Sequence, residues 1–219
     1  MDSAHILAAL RPVLGDERAA KLDRVAASRL SGLVVVLEHL SDPHNGGAAV
    51  RSCEAVGVLE MRVVGGPLKL SERVTQGCEK WLDLARDPDI DSCAASLKAR
   101  GFRLYATVPG AKTPLEAIDP VAPAAFLVGN EHEGLTARAR ELADCEITLP
   151  LYGFSQSVNL SVATALTVYT HARRRREALG RSGDLEGAEL DRLRARYYQR
   201  DIRGADAIVA RFVPPEGAG

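Results

Sequence analysis

Aromatic side chains are scarce in this chain. They make up 5% of the residues and include a single Trp, too few for the base-stacking platform that readers of single-stranded RNA build. Cysteine is also sparse. Cys53, Cys78, Cys93 and Cys145 are scattered, with no C-x-x-C pair and no Cys/His spacing of a zinc site. That excludes a disulfide framework, leaves no metal expected, and suits small buried hydrophobes of a reducing compartment. No apolar run approaches the roughly 20 residues of a membrane span. The start of the chain, with Asp2 and His5, lacks a basic stretch leading into a cleavable apolar core, so a cytoplasmic protein is expected, with no membrane partner.

Nucleotide fingerprints are missing as well. Gly65-Gly66 follows a strand-like run, but no G-x-G-x-x-G occurs there or elsewhere. Gly129-Asn130-Glu131-His132-Glu133-Gly134 also follows one, yet Leu135-Thr136 stands where a P-loop needs Lys-Ser/Thr beneath its phosphates. Neither a dinucleotide site nor a nucleotide hydrolase is supported.

What is present is a regular alternation. Leu33–Leu37, Met61–Val64, Phe102–Thr107, Ala124–Val128 and Cys145–Leu149 read as short buried strands, with another near Trp81–Leu84. Helical patterns over Ala48–Val56, a short one at Ser71–Gln76, then Asp91–Arg100, Leu135–Leu142 and Ser157–Arg176 separate them. This spacing implies an α/β fold with a mostly parallel sheet and helices on both faces. One core of ordinary size suits 219 residues. The reading gives an N-terminal helical extension over 1–30, a core domain over 31–178 and an Arg-rich helical extension over 179–219. The last residues, from Val213, should fray.

Net charge is −1, but it is unevenly spread. The core is acid-rich, whereas both ends carry more Arg and Lys than Asp and Glu. Arg173-Arg174-Arg175-Arg176, then Arg181, Arg192, Arg194, Arg196, Arg200 and Arg203, offer a discontinuous positive surface for phosphates. The bland alternative is a solvated helix face paired with Glu177, Glu186, Glu189 and Asp191.

Three loops carry the chemistry, each after a strand, where an open α/β sheet presents its ligand crevice. They are Asn45-Gly46-Gly47-Ala48-Ala49-Val50-Arg51, then Leu127 through Leu135, and Leu149-Pro150-Leu151 with Gln156-Ser157-Val158-Asn159-Leu160-Ser161. Their order and spacing resemble the SpoU/TrmH family of the knotted SPOUT methyltransferases, from about Leu33 to Arg176. The resemblance implies a deep trefoil knot, which pattern reading alone cannot find, and a homodimer with its active site near the subunit interface. It implies transfer of a methyl group from S-adenosylmethionine to an RNA ribose 2′-hydroxyl. The donor would lie against Thr107, Gly129, Leu149, Leu151 and Val158.

The catalytic residues it implies are Asn45, Arg51, Glu131, Ser157 and Asn159. Arg51 could grip an RNA phosphate bidentately; as a base it is poor, because a guanidinium pKa exceeds roughly 12. A surface arginine is its bland alternative. Glu131 could orient Arg51 or a loop amide, or simply sit beside a helix N-terminus. Ser157 and Asn159 could fix the loop and hold the ribose near the methyl group, and Ser157 could also cap the helix. His44 is read as loop-shaping, Trp81 as packing, and His132 and Glu133 as solvent-facing. Gly46-Gly47 and Tyr152-Gly153-Phe154-Ser155 depart from the family pattern in ways that could change loop flexibility. Arg51, Arg173, Arg174, Arg176 and Arg194 are the expected RNA contacts, with no role for DNA.

The short helical ends look like the TrmH branch, which methylates guanosine 18 of tRNA. Ribosomal RNA or another tRNA position is the alternative substrate. A non-catalytic RNA-binding protein on the same scaffold is the alternative class.

Overall fold

The computed structural model describes residues 2–66, 70–130 and 132–213. In chain order its helices are α1 (Ser3–Leu10), α2 (Asp16–Ala27), α3 (Pro43–Val56), α4 (Glu72–Thr75), α5 (Ile90–Ala99), α6 (Ala137–Leu142), α7 (Leu160–Leu179), α8 (Gly187–Asp201) and α9 (Ala205–Arg211). The strands are β1 (Leu30–Glu38), β2 (Val58–Val64), β3 (Asp83–Asp87), β4 (Arg103–Thr107), β5 (Thr113–Pro114), β6 (Ala124–Val128) and β7 (Cys145–Thr148). Leu30–Arg181 form one compact unit, and the segments before and after them form another.

The first unit is built on a seven-stranded sheet in the order β3-β2-β1-β6-β4-β7-β5, with every pairing parallel. A parallel sheet buries both faces, and β1 shows how. Leu33, Val35 and Leu37 pack with Ala49, Val50 and Cys53 of α3 and Leu160, Val168 and Ala172 of α7. Val34 and Val36, on the opposite face, pack with Ile90, Cys93, Ala94 and Leu97 of α5 and Ala139 of α6. The five residues from Leu33 to Leu37 are fully buried, each such side chain contributing roughly 1.5–3 kcal/mol. That makes β1 a stiff centre for whatever its C-terminal end carries.

The starts of α3 and α7 differ most from the sequence reading, for local reasons. α3 begins at Pro43, five residues before the expected Ala48. Asp42 caps it by accepting from the His44 N–H at 2.8 Å, and Pro43 fits the first turn because it has no N–H to satisfy. The Gly46-Gly47 pair is therefore helical and buried, not a flexible loop. A Cβ on Gly46 would meet Leu40 at 2.4 Å, and one on Gly47 would meet Val74 at 3.1 Å. α7 begins at Leu160, not Ser157, and its cap is Asn159, whose Oδ1 accepts from the Ser161 N–H at 2.8 Å. The expected capping role of Ser157 falls to Asn159.

In the second unit the two ends of the chain fold together. α1 and α2 pack with α8, and α1 with α9. Arg29, 1% exposed, donates to the Tyr197 hydroxyl at 2.8 Å; Arg11 holds Asp23 at 2.9 Å and the Tyr198 hydroxyl at 3.1 Å; Arg18 forks onto Asp201. Segments read from sequence as separate extensions thus share one small core. α9, short and preceded by Gly204, gave no sequence signal. Residues 214–219, expected to fray, lie outside the described residues.

Candidate functional site

β4, β6 and β7 are neighbours, and their C-terminal ends open into one cavity of about 340 Å³. Thr107, Gly129, Leu149, Leu151 and Val158, drawn from four separate stretches of sequence, all line it. So does Ser157. The walls alternate apolar side chains, including Val128, Ile147 and Leu160, with backbone of non-repetitive loops. An apolar hollow edged by main-chain donors and acceptors is what an adenosine-bearing ligand needs. Sequence reading missed Val108, Pro109, Asn130, Thr148 and Ala163 as lining residues. The first four lie at the ends of the same strands, whereas Ala163 lies in the first turn of α7.

The Gly129 loop is closed on itself. Asn130 Oδ1 accepts from the N–H groups of His132 and Glu133 at 2.8 and 2.7 Å, and Asn130 and Gly134 exchange two backbone hydrogen bonds of 3.2 Å. Gly129 must be glycine, since a Cβ there would stand 2.0 Å from the Gly134 carbonyl carbon. His132 and Glu133, expected to face solvent, are exposed and also border the cavity. Glu131 lies outside the described residues. Opposite this loop, the Thr107 hydroxyl donates to the Leu127 carbonyl at 2.7 Å, tying the mouth of β4 to β6.

The first and third loops meet through two amides. Asn159 Nδ2 donates to Asn45 Oδ1 at 3.0 Å, while Asn159 Oδ1 accepts from both the N–H and the hydroxyl of Ser161, the latter at 2.6 Å. Asn159 therefore fixes α7 to the first turn of α3. Arg51 lies six residues beyond Asn45, roughly 120° around the helix. It is exposed and makes no hydrogen bond or ion pair among the described residues. The Cys78 thiol near it is raised from its ordinary value, first by burial and then by Glu54 and Glu79, with Arg51 acting in the opposite direction. His44 is exposed in the first turn of α3, with its N–H on Asp42, and Lys80 sits 4.5 Å over the Trp81 ring.

The arginine run divides by role. Arg173 is exposed and pairs with Glu177 at 2.6 Å. Arg174 donates to the Ile118 carbonyl at 3.1 Å, Arg175 to the carbonyls of Pro120, Val121 and Ala122, and Arg176 to that of Val56 at 2.7 Å. Three of the four thus brace the end of α7 against neighbouring chain. In the other unit Arg194 bonds Asp191 at 3.2 Å and lies 3.7 Å from Asp23. Among the described residues, no three His, Cys, Asp or Glu side chains gather as a metal site requires, and no helix is long and apolar enough to cross a membrane.

Residues 32–169 match the model of the SpoU rRNA methylase family. A protein of Aquifex aeolicus named tRNA (guanosine(18)-2′-O)-methyltransferase is 32% identical over 193 residues, covering 85% of this chain and 91% of its own. A Thermus thermophilus protein of the same name is 36% identical over 166 residues, covering 74% of this chain and 86% of its own. Among solved structures, the A. aeolicus TrmH/SpoU tRNA modifying enzyme superposes with a TM-score of 0.76 at 32% identity, over 86% of this chain and 98% of that one. The SpoU methyltransferase AviRb from Streptomyces viridochromogenes, solved in complex with AdoMet, superposes with a TM-score of 0.63 at 25% identity, over 68% and 62%.

Proposed function

The chain belongs to the SpoU rRNA methylase family, and from that premise we propose that it methylates the ribose 2′-hydroxyl of guanosine 18 in tRNA, using S-adenosylmethionine. Membership implies a trefoil knot in the chain that forms this sheet. The family model spans the core alone. The choice of tRNA rests on relatives named for that activity, whose match extends over most of the chain.

The observation that carries the reading is the single cavity at the ends of β4, β6 and β7, with the Asn45–Asn159 contact joining two of the three loops. S-adenosylmethionine supplies an activated methyl group on a sulfonium. The residues that line the cavity would hold the donor beside the ribose, so that proximity does much of the work. Leu149, Leu151, Val158 and Gly129 would bound the donor, and Ser157, on the cavity wall, would steady the ribose. Asn159 positions rather than reacts, since both ends of its amide are already engaged inside the chain. Arg51, exposed on α3, would take an RNA phosphate near the target nucleotide. To Glu131, the acidic residue of the second motif, we assign the role of orienting Arg51 or a loop amide.

The cavity lies beside an uncovered apolar face of α7. Val162, Leu166 and Tyr169 recur on successive turns and are 45%, 45% and 62% exposed. A second copy of the chain is the occupant we propose for it, giving a homodimer. For RNA, Arg173 and Arg192, Arg196 and Arg200 of α8 are favoured over Arg174 and Arg176 by exposure, since the latter two are only partly exposed and reach back to carbonyls.

The test is methyl transfer from labelled donor to unmodified tRNA. The wild-type protein should label it, and Arg51→Ala should bind donor normally but transfer nothing. Normal turnover by Arg51→Ala would overturn the role of that residue. Labelling of ribosomal RNA alone would overturn the substrate.

A further inference from the structure

The central strand ends on a buried carboxylate that none of the expected site residues explains. Glu38, 1% exposed, closes β1 directly after five fully buried apolar positions. A carboxylate taken out of water costs several kcal/mol unless its oxygens are hydrogen-bonded. Both oxygens of Glu38 serve one residue: they accept from the N–H of Thr136 at 2.9 Å and from its hydroxyl at 2.7 Å.

Thr136 joins the cavity wall to α6. Its hydroxyl oxygen also accepts from the Ala139 N–H at 3.1 Å, capping α6, a helix of six residues that is too short to hold itself. Two residues before it stands Gly134, which lines the cavity, exchanges both backbone bonds with Asn130, and packs where a Cβ on Gly129 would be. The register reinforces this, because Leu37 pairs with Val128, leaving Glu38 and Gly129 as the next positions on neighbouring strands. A stiff strand therefore holds Thr136, Thr136 fixes where the chain leaves the loop, and the loop forms one wall of the cavity.

We propose that Glu38 is a positioning residue for the methyl donor, acting through Thr136 on the wall formed by Gly129, Asn130 and Gly134. It touches neither donor nor RNA. The inference rests on the donor occupying this cavity, as in the function proposed above.

The experiment compares wild type, Glu38→Ala and Glu38→Gln by calorimetric titration with S-adenosylhomocysteine, tRNA binding, thermal melting and amide exchange of the 132–136 backbone. Glu38→Ala should bind the ligand at least about tenfold more weakly, bind tRNA within about twofold of wild type, and exchange those amides faster. Glu38→Gln should recover most of the affinity, because an amide can accept from the Thr136 N–H and donate to its hydroxyl. A folded Glu38→Ala protein with wild-type affinity, or Glu38→Gln as damaged as Glu38→Ala, overturns the proposal. If Glu38→Ala does not fold, Thr136→Val and Thr136→Ser replace it: the valine variant should bind weakly and the serine variant should recover, and equal affinities overturn the proposal. Wild-type protein that takes up no ligand would overturn the reading of the cavity itself, an outcome distinct from equal binding by wild type and variant.

Discussion

Asn159 does two jobs at once, as cap of α7 and as tie to Asn45, so its removal should be felt twice. Losing a cap of this kind costs about 1 kcal/mol, and without the amide pairing the third loop loosens against α3. Asn159→Ala should therefore melt at a lower temperature and turn over more slowly even where it is fully folded; unchanged turnover in single-turnover assays would remove its positioning role. Arg51 makes the opposite case, being exposed, with a side chain that makes no hydrogen bond or ion pair among the described residues. Arg51→Lys should recover little of the activity that Arg51→Ala lacks, because an ammonium cannot replace a planar fork on phosphate. His171 bears on stability. It is fully buried against Phe126, neither ring nitrogen has a partner among the described residues, and burial, helped by Arg175 and Arg174 and opposed by Asp119, pushes its pKa down to about 4 from 6.5. An unfolded chain takes up this proton at higher pH than the folded one. The stability at stake is complete above about pH 6.5 and drains away toward pH 4, at about 1.4 kcal/mol per unit. His171→Leu should lose less stability than the parent between pH 7 and pH 5, and equal losses by thermal melting would contradict this. Motif residues such as Asn45 and Asn159 stand out in sequence through the resemblance of their loops to the family motifs. Glu38 does not, since a single acid after Leu33–Leu37 reads as the end of a strand, and its partner is 98 residues away.

At the scale of elements, β1 and α7 carry most of the weight. Strands buried on both faces write themselves as continuous apolar runs, so the parallel sheet was readable from Leu33–Leu37 and Ala124–Val128. Helix starts were less readable. Pro43 and two glycines looked like a loop, yet a capped first turn tolerates proline and close packing on Leu40 and Val74 requires the glycines. α7 is apolar on two sides, one inside the core and one bearing Val162, Leu166 and Tyr169. A charge placed in the middle of the outer side should block self-association without disturbing the core. Leu166→Glu is expected to run as a monomer by light scattering while the parent runs as a dimer. A monomeric parent at micromolar concentration would remove the subunit interface from the account.

The whole molecule is near neutral, so any affinity for RNA must come from where the charge sits. The sequence located positive charge at the ends but could not show which arginines were engaged in holding the fold, because their acceptors are main-chain carbonyls that composition does not reveal. Nor could it show that the two ends form a single unit, which makes removal of one end a poor test. Replacing Arg192, Arg196 and Arg200 together by Ala leaves both ends of the chain in place and, in protein that melts like the parent, should raise the tRNA concentration needed for turnover. The dependence of binding on salt should become shallower by roughly 0.7–0.9 in log–log slope for each phosphate that the variant no longer neutralises. A slope equal to that of wild type would place the RNA elsewhere. The most direct test of the central claim is the position of the mark: label unmodified tRNA and ribosomal RNA with methyl-labelled S-adenosylmethionine, then map the 2′-O-methyl group. The account predicts one methyl on the ribose of guanosine 18 of tRNA; no methylation of tRNA, or a mark confined to ribosomal RNA, would contradict it.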